Sequence, residues 1–116
     1  AIVAADTHPL NNLRVLKYLE TELRLDGNAR RTWYHRWLKE CFDALEARLR
    51  VEVETGRFCH GGTPTLADIC LVPQIFNAKR FAFDLSPYPS IMRIFDAAQE
   101  LDAFANAAPD RQPDAE

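Results

Sequence analysis

Two arginines stand where a fixed positive charge could bind an anion. Arg14 falls on a leucine-rich helical stretch, and Arg80 ends a second, more apolar one. A guanidinium is planar and always charged, so it can hold a carboxylate through two parallel hydrogen bonds. The residues alone favour a simpler interpretation. In that interpretation Arg14 is a solvated helix residue, and Arg80 interacts with the negative end of its helix dipole.

Metal chemistry is suggested by the adjacent residues Cys59 and His60. Two neighbouring side chains do not make a metal site, and the other two histidines lie far away without ligand spacing. The sequence therefore predicts no metal centre. Cys41 and Cys70 fall on apolar helical positions, as free core cysteines usually do. Three cysteines without a CxxC pair favour a reducing, cytoplasmic setting.

The stretch 63–80, TPTLADICLVPQIFNAKR, is predicted to be the central helix. Thr65 and Asp68 stand three apart at its start, which is the spacing of a structural capping box. Pro73 lies too deep to be a first-turn proline and should kink the helix. A helix that is apolar nearly all round has to be buried. The apolar positions are Leu66, Ile69, Cys70, Leu71, Val72, Ile75 and Phe76.

Two longer helices are predicted before this one. Pro9 suits the first turn of a helix that runs to about Leu25, with leucines at helical spacing. The next helix runs from Ala29 to about Glu54, and Trp33, Trp37, Leu38, Cys41, Phe42, Leu45 and Leu49 lie on its apolar face. Its opposite face carries charged residues, including Glu46, and is predicted to be solvated.

Shorter elements follow the central helix. The pattern predicts a helix over 90–99 that presents Ile91, Ile94 and Phe95 to the core, and a last short helix that holds Leu101 and Phe104. The tail from residue 109 is polar and contains two prolines, which favours an extended segment. No stretch of useful length alternates with period two. The predicted fold is an all-α helical bundle in one domain, 1–116.

Composition excludes several classes of protein. The 116 residues carry a net charge of −3 and 47% hydrophobic residues, as in ordinary soluble domains. This charge gives no basic patch for a nucleic acid or a membrane surface. No apolar run approaches the ~20 residues that span a bilayer. The first ten residues lack the basic and apolar regions of a signal peptide.

Four motifs together resemble a known family. THPLNNLRVLKYL, TPTLADICLVPQIFNAKRF, DLSPYPSI and PDRQPDA follow one another as in the C-terminal helical domain of zeta-class glutathione transferases, which include maleylacetoacetate and maleylpyruvate isomerases. The resemblance covers essentially the whole chain. It implies an N-terminal thioredoxin-like partner domain, whose thiolate-stabilising motif has no match here. The resemblance thus implies that this chain holds no catalytic group and forms one wall of a two-domain cleft.

The resemblance also implies the chemistry. In the family, the thiolate of glutathione adds to a cis double bond of a small diacid, the new single bond rotates, and the thiol leaves again. Arg80 and Arg14 are implied to face the substrate, and a basic residue at Arg14 leans towards maleylpyruvate. His8, Asn12 and Leu13 are implied to contact glutathione. Because His8 and Asn12 are four residues apart, they should share one helix face.

Two other functions remain open on the sequence. The chain could be a stand-alone helical module for binding or dimerisation, or part of a general glutathione transferase that conjugates electrophiles. The buried amides Gln74 and Asn77 are predicted to be structural, because an unpaired buried amide is costly. A homo-oligomer is expected, since a helical half without its partner domain leaves an apolar face open. The resemblance implies that the tail folds back over the bundle.

Overall fold

Helices are the only regular elements between residues 2 and 115, the part of the chain that the computed structural model describes. The prediction of an all-α bundle is confirmed. The elements are a π-helical segment Ile2–Thr7, α1 His8–Asn11, α2 Leu13–Thr21, α3 Gly27–Val51, α4 Leu66–Arg80, α5 Pro89–Gln99, α6 Asp102–Asn106 and a 3-10 turn Pro109–Arg111.

The core lies where α5 packs against both α3 and α4. The apolar faces predicted for α3 and α5 are largely confirmed, with Leu38, Phe42, Ile91 and Ile94 fully buried. Tyr34 is also buried, although the predicted face of α3 did not include it. Its ring stacks on Phe81 with 3.8 Å between ring centroids. This contact ties the middle of the bundle to the end of α4.

The capping box predicted at the start of α4 is present. The Asp68 carboxylate accepts hydrogen bonds from the Thr65 backbone N–H at 2.8 Å and from the Cys59 backbone N–H at 2.9 Å. Asp68 is fully buried, so these two bonds supply its carboxylate with partners that water cannot provide. The structural role predicted for this pair is therefore supported, and Asp68 also ties the preceding loop to α4.

The prediction that α4 is enclosed along its whole length is wrong for its first turns. Leu66 is 72% exposed and Ile69 is 57% exposed, whereas Leu71, Ile75 and Ala78 are fully buried. The apolar pattern covers most of the helix circumference, but in this chain the other helices cover only one side of its beginning. The first turns of α4 therefore present an apolar face outward.

The first predicted helix is broken at Asn12, which takes an extended conformation with ψ 163°. Its side-chain oxygen accepts a hydrogen bond from the Val15 N–H at 3.1 Å and starts α2. Asparagine competes with the helix backbone in this way, and the sequence pattern of leucines hid the break. The prediction that His8 and Asn12 share one helix face is therefore wrong. The second part, α2, also ends at Thr21 rather than near Leu25.

Glu46 is an exception to the solvated face predicted for most of the charged residues of α3. Its side chain is almost completely buried and accepts hydrogen bonds from the Ser90 N–H at 2.8 Å and the Ile91 N–H at 2.9 Å. These are free donors in the first turn of α5, where Pro89 has no N–H to offer. The carboxylate thus caps another helix. Its negative charge is attracted to the positive, N-terminal end of that helix, which stabilises α5.

The end of α4 requires a left-handed residue at Ala82, which has φ 54°. The Phe83 N–H donates to the Ala78 carbonyl at 2.9 Å and the Ala82 N–H to the Lys79 carbonyl at 3.1 Å, as in a Schellman motif. Glycine adopts this conformation without the Cβ strain of alanine. We expect Ala82→Gly to raise the free energy of unfolding by about 1 kcal/mol, as measured by urea denaturation.

The control for this substitution is Ala47→Gly, at an exposed position within α3, four residues before the helix ends at Val51. There the same chemical change should lower the free energy of unfolding by about 1 kcal/mol, because glycine is a poor residue within a helix. If both substitutions shifted the unfolding midpoint in the same direction, the left-handed cap would not be the cause.

Candidate functional site

Arg80 lies in the last turn of α4 and lines a cavity of about 590 Å³. The opposite side of the cavity is formed by the C-terminal tail, through Pro109, Asp110, Gln112, Asp114 and Ala115. Arg80 itself is exposed, and within residues 2–115 its guanidinium forms no ion pair. The structure therefore places this predicted substrate-binding arginine at the edge of an open hollow.

The tail reaches this position because it is folded back. It forms a 3-10 turn, and the Gln112 amide donates to the Asn106 carbonyl at 2.9 Å. This arrangement differs from the extended segment that the tail's composition favours and agrees with the implication of the family resemblance. Two tail carboxylates, Asp110 and Asp114, share the cavity with Arg80. An anion that binds Arg80 must therefore compete with negative charge on the tail.

Two contacts with Phe81, one to its ring and one to its backbone, hold the end of α4 that carries Arg80. Tyr34 stacks on Phe81, and burial raises the pKa of the Tyr34 hydroxyl while the positive charge of Arg80 opposes that rise. His35 Nε2 lies 2.7 Å from the Phe81 carbonyl oxygen. Sequence analysis missed Tyr34 and His35, which stand beside the predicted apolar positions of α3. The signal available in the sequence was that both are aromatic residues next to the predicted apolar face of α3.

Arg14 lies in the first turn of α2 and is exposed. It does not line the cavity of Arg80, and no ion pair to Arg14 forms in the described part of the chain. The structure does not bring the two predicted substrate-binding arginines to one cavity. Any shared site would need a further surface opposite them.

His8 is exposed at the start of α1, and its Nδ1 lies 3.3 Å from Gln74 Nε2. Gln74 is only 3% exposed, and its Oε1 has no hydrogen-bond partner among residues 2–115. The predicted structural role of Gln74 thus takes a specific form, in which a buried amide orients one ring nitrogen of His8. The second ring nitrogen, Nε2, forms no hydrogen bond in the described residues.

Asn12 and Leu13 lie at the junction of α1 and α2. Both ends of the Asn12 amide are used locally, since Oδ1 accepts from Val15 N and Nδ2 donates to the Pro9 carbonyl at 3.1 Å. Leu13 is 64% exposed. Of the three residues predicted to contact glutathione, His8 and Leu13 have surface free for a ligand, while the Asn12 side chain is committed to the helix break.

Cys59 and Cys70 line a second cavity of about 330 Å³ with His60. Burial and the neighbouring Asp68 carboxylate raise the pKa of the Cys59 thiol to about 12, so it stays protonated near neutral pH. Within residues 2–115, no three His, Cys, Asp or Glu side chains gather as metal ligands. This cavity offers neither a reactive thiolate at Cys59 nor a metal centre.

Comparison with known proteins identifies the family to which the chain is similar. Residues 13–97 match the family described as glutathione S-transferase, C-terminal domain. A maleylpyruvate isomerase of a Ralstonia species is 50% identical over 114 residues, which are 98% of this chain and 54% of the relative. No helix in the described part of the chain is long and apolar enough to cross a membrane.

Solved structures agree with this match. The holo structure of a zeta-class bacterial maleylpyruvate isomerase superposes with a TM-score of 0.96 and 49% identity, covering 100% of this chain and 55% of that one. A maleylacetoacetate isomerase from Methylobacterium extorquens AM1, with bound malonate and glutathione, has a TM-score of 0.94 and 36% identity, covering 99% and 54%. The chain spans about half the length of these relatives. It belongs to the zeta class of the glutathione S-transferase family and matches that family's C-terminal helical domain.

Proposed function

We propose that this chain forms the substrate-binding wall of a glutathione-dependent cis–trans isomerase that acts on maleylpyruvate or maleylacetoacetate. The single observation that carries the proposal is the position of Arg80, which lines a 590 Å³ cavity and forms no ion pair with any residue from 2 to 115. The relatives named above include isomerases of both substrates. One of them binds malonate, a small dicarboxylate, together with glutathione.

The chemistry assigned to Arg80 is electrostatic. Its guanidinium binds one carboxylate of the diacid through two charge-assisted hydrogen bonds, and this fixes the position of the double bond. The same charge stabilises negative charge that develops on the conjugated carbonyl during the reaction. Arg14, on a different surface, is proposed to bind the second carboxylate once a partner domain closes the cleft.

The chain's own residues fit one edge of a glutathione molecule. His8 offers its ring nitrogen Nε2, which forms no hydrogen bond within residues 2–115, and Leu13 presents an exposed apolar side chain. We propose that His8 donates a hydrogen bond to a glutathione carboxylate and that Leu13 packs against its backbone. When bound, glutathione supplies the thiolate nucleophile of the reaction. The proposed partner domain, thioredoxin-like, would hold the sulfur.

The exposed apolar start of α4 supports the proposed partners. Leu66 and Ile69 in the first turns of α4 are more than half exposed, and so are Val51 at the end of α3 and Val53 just after it. Exposed apolar side chains, where they adjoin, mark surfaces that another domain or subunit covers. We propose that a thioredoxin-like domain and a second copy of the protein contact the chain, and that the chain alone is inactive.

The proposal is tested by assaying isomerisation in the presence of glutathione. We expect the full-length protein to isomerise maleylpyruvate or maleylacetoacetate, and the isolated 116-residue chain to give no turnover above the blank. A parallel assay with an aromatic electrophile distinguishes a general transferase, which would conjugate it faster than it isomerises the diacid. Absence of both isomerisation and conjugation by the full-length protein would leave only a binding or dimerisation module.

A further inference from the structure

Gln74 is a buried polar side chain whose hydrogen-bonding capacity is only partly used. It lies within α4 and is 3% exposed. Its amide nitrogen Nε2 lies 3.3 Å from His8 Nδ1, whereas its amide oxygen Oε1 is buried and meets no donor among residues 2–115. Within that range, His8 is therefore the one residue with which the Gln74 amide forms a hydrogen bond.

This arrangement is costly for the fold. Burying an amide costs free energy unless its polar atoms are paired, and here one of them is not. His8 is exposed, so water would replace Gln74 as the partner of Nδ1. An apolar side chain of the same length would fill the same space in α4 without a buried, unpaired acceptor. Stability therefore does not account for the amide, and its effect on the imidazole ring is the better explanation.

The contact determines which nitrogen of His8 carries the proton. An amide NH2 group donates and does not accept, so Nδ1 must be the acceptor. The proton of the neutral ring then lies on Nε2. This is the atom that is proposed above to donate a hydrogen bond to a glutathione carboxylate. Gln74 therefore holds His8 in the tautomer and the orientation that this donation needs.

We propose that Gln74 is a positioning residue for glutathione, which acts through His8 and does not touch the ligand. The assignment rests on the proposed function, because it requires the contact between His8 and glutathione. His8 stands on α1, and Gln74 stands on α4, the helix that also carries Arg80. The pair thus fixes the glutathione edge of the site to the helix of the substrate-binding arginine.

Isothermal titration calorimetry of the full-length protein with glutathione tests this role without requiring turnover. Gln74→Met keeps an unbranched side chain and removes both polar atoms of the amide. We expect it to weaken glutathione binding about fivefold, because the ring of His8 loses its fixed orientation. Thermal unfolding without glutathione should give a midpoint equal to or above that of the unsubstituted protein, because a buried unpaired acceptor is removed. A purely structural role would instead lower the midpoint and leave glutathione binding unchanged.

A double-mutant cycle shows whether Gln74 acts through His8. His8→Ala should weaken glutathione binding about tenfold, and adding Gln74→Met should cause no further loss. The control Gln99→Met removes a half-buried amide at the end of α5, whose Nε2 has no partner within residues 2–115, and should leave binding unchanged. Unchanged affinity in Gln74→Met, or losses that add in the double variant, would overturn the proposal. Glutathione binding without isomerisation would contradict the proposed function alone.

Discussion

Replacing Arg80 by glutamine is expected to lower kcat/KM for the cis diacid about 100-fold in the full-length protein. The glutamine amide can still donate one hydrogen bond to the carboxylate, so one of the two bonds is lost. A hydrogen bond to a charged group is worth roughly 1.5–3 kcal/mol, and a loss of about 2.7 kcal/mol corresponds to about 100-fold. Arg80→Lys keeps the charge without the planar fork and should lose less activity. Steady-state kinetics with saturating glutathione measures both effects.

The matched control is Lys79→Gln. Lys79 stands in the same last turn of α4, so its loss removes a similar interaction with the helix dipole. Its ammonium lies over the Phe95 ring, 4.3 Å from the centroid, and does not line the Arg80 cavity. If Lys79→Gln reduced kcat/KM as strongly as Arg80→Gln, the effect would come from the helix end and not from substrate binding.

Replacing Glu46 by glutamine is expected to lower the free energy of unfolding by about 2 kcal/mol. The amide can accept from only one of the two backbone donors, Ser90 N–H and Ile91 N–H, and it turns its own N–H groups towards the other. A buried donor without a partner costs about 1–3 kcal/mol. The substitution also removes a negative charge that stabilises the positive, N-terminal end of α5. Urea unfolding followed by far-ultraviolet circular dichroism measures the change.

Two controls separate the cap from its ion pair. Glu40→Gln changes an exposed glutamate on the same helix, paired with Arg36 at 2.8 Å, and should cost less than about 0.5 kcal/mol. Arg50→Gln removes the exposed partner of Glu46, which stands 3.3 Å away. If Arg50→Gln destabilised the protein as much as Glu46→Gln, the ion pair and not the cap of α5 would be responsible.

Local signals in the sequence predicted the elements well. The capping box of Thr65 and Asp68 acts over three residues, and the face of Ile91, Ile94 and Phe95 repeats at helical spacing. Both patterns lie within a single helix, so they can be recognised in the sequence without knowing the fold. The break at Asn12 is local too, but a capping asparagine within a run of leucines was outweighed by their periodicity.

Contacts between distant parts of the chain were not readable in this way. Glu46 has the same place in the pattern as solvated residues of α3, and only its partners 44 and 45 residues away make it a buried cap. The exposure of Leu66 depends on which helices lie beside α4. Neither property is encoded in the spacing of neighbouring residues.

The sequence by itself determined that this chain is a helical bundle, where its central helix begins, and that Arg80 stands at the end of that helix. Only the tertiary structure decided that the tail returns to form a cavity with Arg80 and that Arg14 lies outside it. The physical reason is that periodicity and caps act within one helix turn or two, whereas a cavity depends on which surfaces the folded chain brings together.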